Sequence, residues 1–538
     1  VFALGGAALV FDVLLAMTSG FEFFADEWNV ILRPDLSPES LLQPLNEHIV
    51  AGQVLVVKAL LAIFGMGSTL PFRVANITCL LIVAGLTYSL VARRLGALVA
   101  ALVAVVLVML GPAWEDLLWP AGISFMGAMA GGLGAFVAIE RQGRRADAVA
   151  CLLLIVSISF STLGLAFAVG VLVDGLLRPA SRLARLWVAA VPFAAYGLWY
   201  LAYGSDASSP ASLDNLVGVP LYVWRAAGSA LASLTGLSGV GQRSLGSSSE
   251  LGQPLLAVGM AAAGWAAAHN RALLSRRLGS LLAAALFFWI AAAINEVPGR
   301  EPGASRYQLI GSVFVVLIAA ELLRGRRLSR AGAGALAVVV AAVIASNVGA
   351  LRDGQEFLRG QSENNAAVLA ALDGARDQVP GDYRLDSAPA SPFTSPATAD
   401  EYFAAVDRWG APVANPSDAL NGTTAARAAA DRFSVAALGA GVLPVPDTTT
   451  LAREGCMDLT SGGMITFEVP AGGTILRSEA SLRSVRIGRW SDHDAPGVEL
   501  GGAPAGDTAL GIAKDSYERP WWVRVESPSL VESCPIDG

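Results

Sequence analysis

Uncharged stretches about as long as a bilayer is thick recur along the first two thirds of this 538-residue chain. Leu95–Gly111, Leu278–Asn295 and Ala331–Asn347 are examples, each near the roughly 20 apolar residues a helix needs to cross hydrocarbon. No other feature narrows the fold as much, because lipid offers no hydrogen-bond partners and admits only helices or closed barrels. Composition agrees: 15% of residues are charged and 54% hydrophobic, against roughly 25% charged in soluble domains. That balance argues against a water-soluble enzyme, a nucleic-acid binder and a disordered scaffold. The expected fold class is a polytopic α-helical membrane protein with an appended domain.

The appendage shows when the charges are split at Leu351. Residues 351–538 hold 15 basic and 26 acidic side chains, a net −11, and the first 350 hold 22 and 18, a net +4. The division expected is a membrane domain over 1–350 and a water-exposed domain over 351–538. The latter is helical or irregular to about 445 and β-rich over 446–538. Its acidity argues against nucleic acid or anionic headgroups as direct partners. Met464–Val469, Thr474–Arg477, Val485–Trp490, Thr508–Ile512 and Trp521–Val525 alternate between Gly, Pro and Asp turns, which predicts a small antiparallel β-sandwich or jelly roll. Trp490, Tyr517, Trp521 and Trp522 either offer aromatic platforms for a sugar or fill the sandwich core. Cys456 and Cys534 are the only cysteines of this part, and an oxidising location makes them a disulfide pair.

Basic clusters at Arg93-Arg94, Arg141/Arg144/Arg145, Arg178/Arg182/Arg185, Arg271/Arg276/Arg277 and Arg324/Arg326/Arg327/Arg330 alternate with loops poor in arginine at 19–70, 113–119, 204–250 and 296–306. With the basic loops cytoplasmic, the chain crosses about eleven times. The N-terminus is then inside, the short Phe160–Leu163 hairpin outside, and the C-terminal domain extracytoplasmic. The opening apolar stretch lacks an Ala-x-Ala site and reads as a span. His48–Phe64 is apolar but carries Gln53 and Lys58; counted as a span it would invert Arg93-Arg94, so it reads as part of a set of interfacial helices at about 27–66 on the outer face. Lys58 and Arg73 read as snorkelling side chains. Arginine outnumbers lysine 35 to 2, a bias like that of a high-GC bacterium, so the expected location is a bacterial plasma membrane.

Ionisable groups for membrane chemistry belong at the water boundary. The densest set is Phe21-Glu22-Phe23-Phe24-Ala25-Asp26-Glu27-Trp28-Asn29, where partial desolvation raises a carboxylate's pKa toward that of a useful base. The same residues also suit a helix start in an aromatic belt. Asn46-Glu47-His48 follows. Then come Ile63-Phe64-Gly65-Met66-Gly67, Leu70-Pro71-Phe72-Arg73-Val74-Ala75, a stretch closing with Ala92-Arg93-Arg94-Leu95-Gly96, and another ending Gly111-Pro112.

This order of pieces resembles the GT-C superfamily of integral-membrane glycosyltransferases, which includes the protein O-mannosyltransferases and lipid A aminoarabinose transferases. The resemblance covers about residues 10–180; His48 stands at the family's histidine, with Ile49 and Val50 in place of two prolines. It implies a polyprenyl-phosphate-linked sugar as donor, a glycan, glycolipid or protein acceptor, and inversion at the sugar. Asp26 would be the catalytic base, with Glu27 as the adjacent alternative. Phosphate contacts would come from Arg300, Arg306 and Tyr307, with His48 beside the donor; Arg300 and Arg306 could instead pair with Glu296 or Glu301. Glu47 and the second outer loop, Glu115, Asp116 and Trp119, would face the acceptor. Some members hold a divalent metal there, which Asp26, Glu115 and Asp116 could do; the sequence itself requires no cofactor. Several members carry an outer domain resembling a carbohydrate-binding module, which implies glycan acceptor binding as a second role for 351–538.

No Walker loop, Gly-x-Ser-x-Gly elbow, Cys-x-x-Cys or histidine cluster occurs. The competing reading is a non-enzymatic scaffold or a transporter. A transporter would show polar or broken helices near mid-membrane, whereas here the ionisable residues gather at the outer edge.

Overall fold

The computed structural model describes residues 2–141, 143–178, 182–207, 211–238, 250–326, 328–445, 456–459, 463–470, 472–513 and 515–535; Arg327 and Lys514 lie outside them. The chain divides into two units. The first comprises Val1–Ser19, Arg33–Leu60 and Leu70–Leu358, and the second Gly20–Leu32, Leu61–Thr69 and Arg359–Gly538.

The first unit is helical. Leu70–Leu95, Pro120–Ile139, Arg276–Ile294, Ser305–Leu322 and the 45-residue Arg330–Gly374, which runs on into the second unit, are long and apolar enough to cross a membrane. Ala97–Val108 with Gly111–Leu118, bent by 51°, makes a sixth if taken as one broken span. Among the described residues these five or six are the helices that meet the length and apolarity of a span, so the expected eleven is not confirmed. Gly5–Met17 and Gly164–Leu176 are apolar but short, and Arg144–Phe160 opens with three charges in its first four residues. One correction concerns 204–250, read from sequence as a loop: Asn215–Thr235 is a 21-residue helix. Its Asn215, Pro220 and Arg225 hide the pattern, while Tyr222, Ala226, Ala227, Ala230 and Ala232 supply a buried face.

Buried ion pairs tie helix ends together. Arg94 spans Glu140 and Glu321 at 2.6 and 2.8 Å, and Arg178 pairs with Asp174 at 2.9 Å as their spacing predicts. Lys58 and Arg73 do not snorkel. Lys58 is 6% exposed and donates to the Arg33 carbonyl, while Arg73 reaches Leu15 O and Thr18 Oγ1 at 3.4 Å. Both give their charge to buried backbone or hydroxyl acceptors.

The second unit ends in the β-sandwich. Its strands are β1 (Gly441–Pro444), β2 (Met457–Leu459), β3 (Gly463–Val469), β4 (Thr474–Ser478), β5 (Leu482–Gly488), β6 (Val498–Ala503), β7 (Gly506–Gly511), β8 (Trp521–Ser527) and β9 (Val531–Pro535). They form antiparallel sheets ordered β1-β7-β4-β9-β2 and β3-β8-β5-β6. Val485, Ile487, Val523 and Val525 alternate along β5 and β8, all fully buried, as the inner face of a sandwich requires. Trp490, Trp521 and Trp522 are each at most 3% exposed, and Tyr517 donates its hydroxyl to Ala370 O at 2.7 Å. The three tryptophans are buried and present no open platform to a sugar, while Tyr517 is half-buried. The rings of Trp490, Trp521 and Tyr517 surround the buried Arg489 guanidinium at 5.1, 5.1 and 5.8 Å.

Cys456 and Cys534 are joined, 78 residues apart. Closing a loop of that length removes chain entropy worth about 4 kcal/mol. Cys456→Ser with Cys534→Ser should therefore lower the second unit's unfolding free energy by up to about 4 kcal/mol, read by denaturant titration of tryptophan fluorescence.

Asp373 stands in the second unit, well past the apolar first half of its helix. Burial pushes its carboxyl up to about 6, although Tyr402 Oη, donating at 2.9 Å, and Arg376 pull the other way. The folded protein then binds a proton that the unfolded chain releases near pH 4, so stability should fall as pH rises through that interval and level off above pH 6. Asp373→Asn should flatten that fall, worth about 3 kcal/mol at most, in melts taken between pH 4 and 7.

Candidate active site

Asp26 and Glu27 open a short helix, Asp26–Ile31, in the second unit. Residue 25 is the start of the construction: Ala25 has φ 50 and ψ −113, a backbone state that a residue with a Cβ adopts at a cost of about 1–3 kcal/mol. Its N–H donates to Pro392 O at 3.1 Å, which holds it there. Glu27 is 8% exposed and accepts from Phe24 N at 2.8 Å, so its carboxylate braces the turn before the helix. Asp26 is half-buried at the first helical position.

In the first unit, two arginines near one another in sequence are held by distant carboxylates. Arg300 forks onto Glu47, with Nη1 on Oε1 and Nη2 3.3 Å from Oε2. Arg306 meets Glu115, with Nε 3.1 Å from Oε2 and Nη2 3.5 Å from Oε1. The alternative pairing with Glu296 or Glu301 is not met for either arginine. Glu301 instead accepts from Gly299 N at 3.0 Å, tightening the turn that carries Arg300. Arg300 is further fixed through its carbonyl, which accepts from Tyr222 Oη at 2.9 Å. Ser305 Oγ accepts from Glu115 N at 3.1 Å, joining the two loops beside Arg306.

His48 Nε2 lies 3.5 Å from Glu47, and its Nδ1 is hydrogen-bonded to Thr162 Oγ1 in the Phe160–Leu163 turn. Phe125 stands edge-on to the imidazole at 6.4 Å. Burial alone would raise the Glu47 carboxyl, but His48 and Arg300 outweigh it and hold that carboxyl below its ordinary value. Asn46, like Ala25, precedes an acidic site residue in a left-handed backbone state, with φ 51. Thr162 and Tyr222 are site neighbours that sequence reasoning missed; the only local signal was Ser161-Thr162 at a turn between two apolar stretches.

Tyr307 follows Arg306 at the start of Ser305–Leu322 and packs against Phe288 at 5.9 Å. Asp116 is 2% exposed, with its carbonyl accepting from Asn76 Nδ2 at 3.1 Å, and Trp119 is half-buried in the same loop. Glu115 is engaged by Arg306 and Asp116 is buried, so this loop gives a divalent ion of the kind some GT-C members hold little to bind. Among the described residues, the group of three metal-ligand side chains close enough to share an ion is Cys456, Glu532 and Cys534, and its two sulfurs are bonded to each other.

The first unit supplies guanidinium forks that a phosphate can take over from carboxylates and an imidazole bridged to a hydroxyl; the second, taken by itself, supplies a carboxylate at a strained turn. No family model, curated protein or solved structure matches this chain.

Proposed function

We propose that the protein is a polyprenyl-phosphate-sugar-dependent glycosyltransferase of GT-C type acting at the extracytoplasmic face of a bacterial plasma membrane. In this reading the chain crosses about eleven times, with 51–64 lying along the outer face. The observation that carries it is the pair of forked arginines, Arg300 on Glu47 and Arg306 on Glu115, whose side chains are 17% and 32% exposed. Cations this close to apolar helix ends suit an anion that arrives on a lipid tail. A donor phosphate would displace Glu47 and Glu115 from the guanidiniums and be neutralised by them in turn, with Tyr307 beside it.

The acceptor hydroxyl then attacks the anomeric carbon while Asp26 takes its proton. A carbon–oxygen bond forms to the acceptor, and the bond from that carbon to the phosphate oxygen breaks with its electron pair left on the phosphate. The acceptor is a glycan, a glycolipid or a protein hydroxyl.

The test is release of prenyl phosphate by the full chain in lipid vesicles given a panel of synthetic prenyl-phosphate sugars and acceptor hydroxyls. Release with one or more donors is expected. Silence across the panel, with the protein folded, would favour the scaffold reading.

A further inference from the structure

The segment between the first helix and Leu70–Leu95 does not fold with a single unit. It leaves the first unit at Ser19, contributes Gly20–Leu32 and Leu61–Thr69 to the second, and returns. The attachment is specific. Trp28, fully buried, packs against both Phe393 and Tyr402 at ring distances of 5.0 and 5.6 Å, these two rings meeting each other at 5.9 Å, with Phe23 edge-on to Trp28 at 5.9 Å. Tyr402 is itself fully buried and fixed through its hydroxyl to Asp373. Ala25, in its strained state, donates to the carbonyl of Pro392, the residue before Phe393.

The second piece is equally tied down. Met66 N donates to Trp409 O at 2.8 Å, and Thr69 Oγ1 donates to Phe21 O at 2.6 Å, so the two pieces are also bonded to each other. Gly65 has φ 69, and a Cβ added there would come within 2.5 Å of Trp409 O. That approach tolerates only glycine.

We infer that the C-terminal unit is the positioning element for Asp26, with Trp28 as the anchor that sets the carboxylate's direction. This rests on Asp26 being the base. The physical argument is short. Asp26 lies between two fixed points, Ala25 one residue before it and Trp28 two residues after it. Local bonds from Phe24 N to Glu27 and from Trp28 N to Ala25 O brace the turn, but a six-residue helix is too short to hold itself on these alone. Buried aromatic contacts with Phe393 and Tyr402 supply what the local sequence does not. Residues from the last third of the chain thus complete a segment that follows its first helix.

The test uses the full chain in lipid vesicles and reads two quantities: steady-state kinetics, and amide hydrogen exchange in 20–32 with the sandwich strands β4 and β5 as internal control. Trp28→Ala should speed exchange across 20–32 at least about tenfold and lower kcat about 10- to 100-fold, with the donor KM within about twofold. Trp28→Phe keeps an aromatic anchor and should restore most of both. Tyr402→Phe, which removes only the bond to Asp373, gives a milder second variant should Trp28→Ala fail to fold. It should move both readouts together by about threefold or more.

A rise in exchange without a fall in kcat, or a fall in kcat without a rise in exchange, overturns the inference. Asp26→Asn separates the two claims. If it transfers sugar normally, the base assignment falls and the inference falls with it. If it is inactive while Trp28→Ala behaves as wild type in both readouts, the inference alone falls.

Discussion

Asp26→Asn is expected to slow sugar transfer about 10²- to 10⁴-fold, the range a positioned general base contributes. Asparagine keeps the size and the hydrogen-bonding shape of the side chain but cannot take the acceptor's proton. The loss should fall on kcat, because Arg300 and Arg306, the proposed donor contacts, are untouched. Glu27→Gln is the matching control. Glu27 accepts from Phe24 N and is nearly buried, so its replacement should loosen the turn and lower activity less than Asp26→Asn does. Kinetics of both variants against one prenyl-phosphate donor decide between the two adjacent carboxylates.

Asp431→Ala is expected to destabilise the second unit by about 4 kcal/mol or more. Asp431 is 1% exposed on the helix Thr424–Ala437, and it accepts from three consecutive backbone amides, Arg489 N at 2.7 Å, Trp490 N at 2.8 Å and Ser491 N at 3.0 Å, as well as from Ser491 Oγ. Alanine leaves those buried donors without an acceptor, each costing about 1–3 kcal/mol. The same turn holds Arg489, which is fully buried, paired with Asp515 and donating to Arg519 O at 2.7 Å and Tyr517 O at 2.6 Å. Loss of Asp431 should therefore loosen the arginine's cage of aromatics as well. Denaturant unfolding followed by tryptophan fluorescence reports it directly, since Trp490, Trp521 and Trp522 are all buried there.

Those features of the fold that local sequence controls were legible in it. Helices stand where long uncharged stretches stand, β3, β4, β5, β7 and β8 fall on alternating segments, and the two tail cysteines are bonded. The missed strands have physical reasons. β1 carries Gly441 and Pro444, and β6 carries Gly501 and Gly502, residues that read as turn. Both strands lie at sheet edges, where such residues are tolerated because one neighbour suffices to hold them. β2 spans only three residues and β9 closes in Cys534-Pro535, so neither presents a strand-like run.

The candidate site was legible as residues and not as pairs. Scarcity of arginine outside the basic clusters marked Arg300 and Arg306, yet the nearby glutamates were the wrong partners. Glu47 and Glu115 lie 253 and 191 residues away in sequence, and no periodicity encodes that. Burial of Lys58 was hidden for the same cause: a side chain's exposure depends on what folds over it. The assignment of 20–32 to the C-terminal unit is the extreme case, because Trp28 reads alone as an interfacial aromatic and becomes an anchor only when Phe393 and Tyr402 are placed against it.

The central claim is a direct displacement of prenyl phosphate by an acceptor hydroxyl whose proton goes to Asp26. The anomeric configuration of the product, read by proton NMR against that of the donor, tests it most directly. A single inversion is predicted. A product that keeps the donor's configuration would require a glycosyl-enzyme intermediate and would contradict the account.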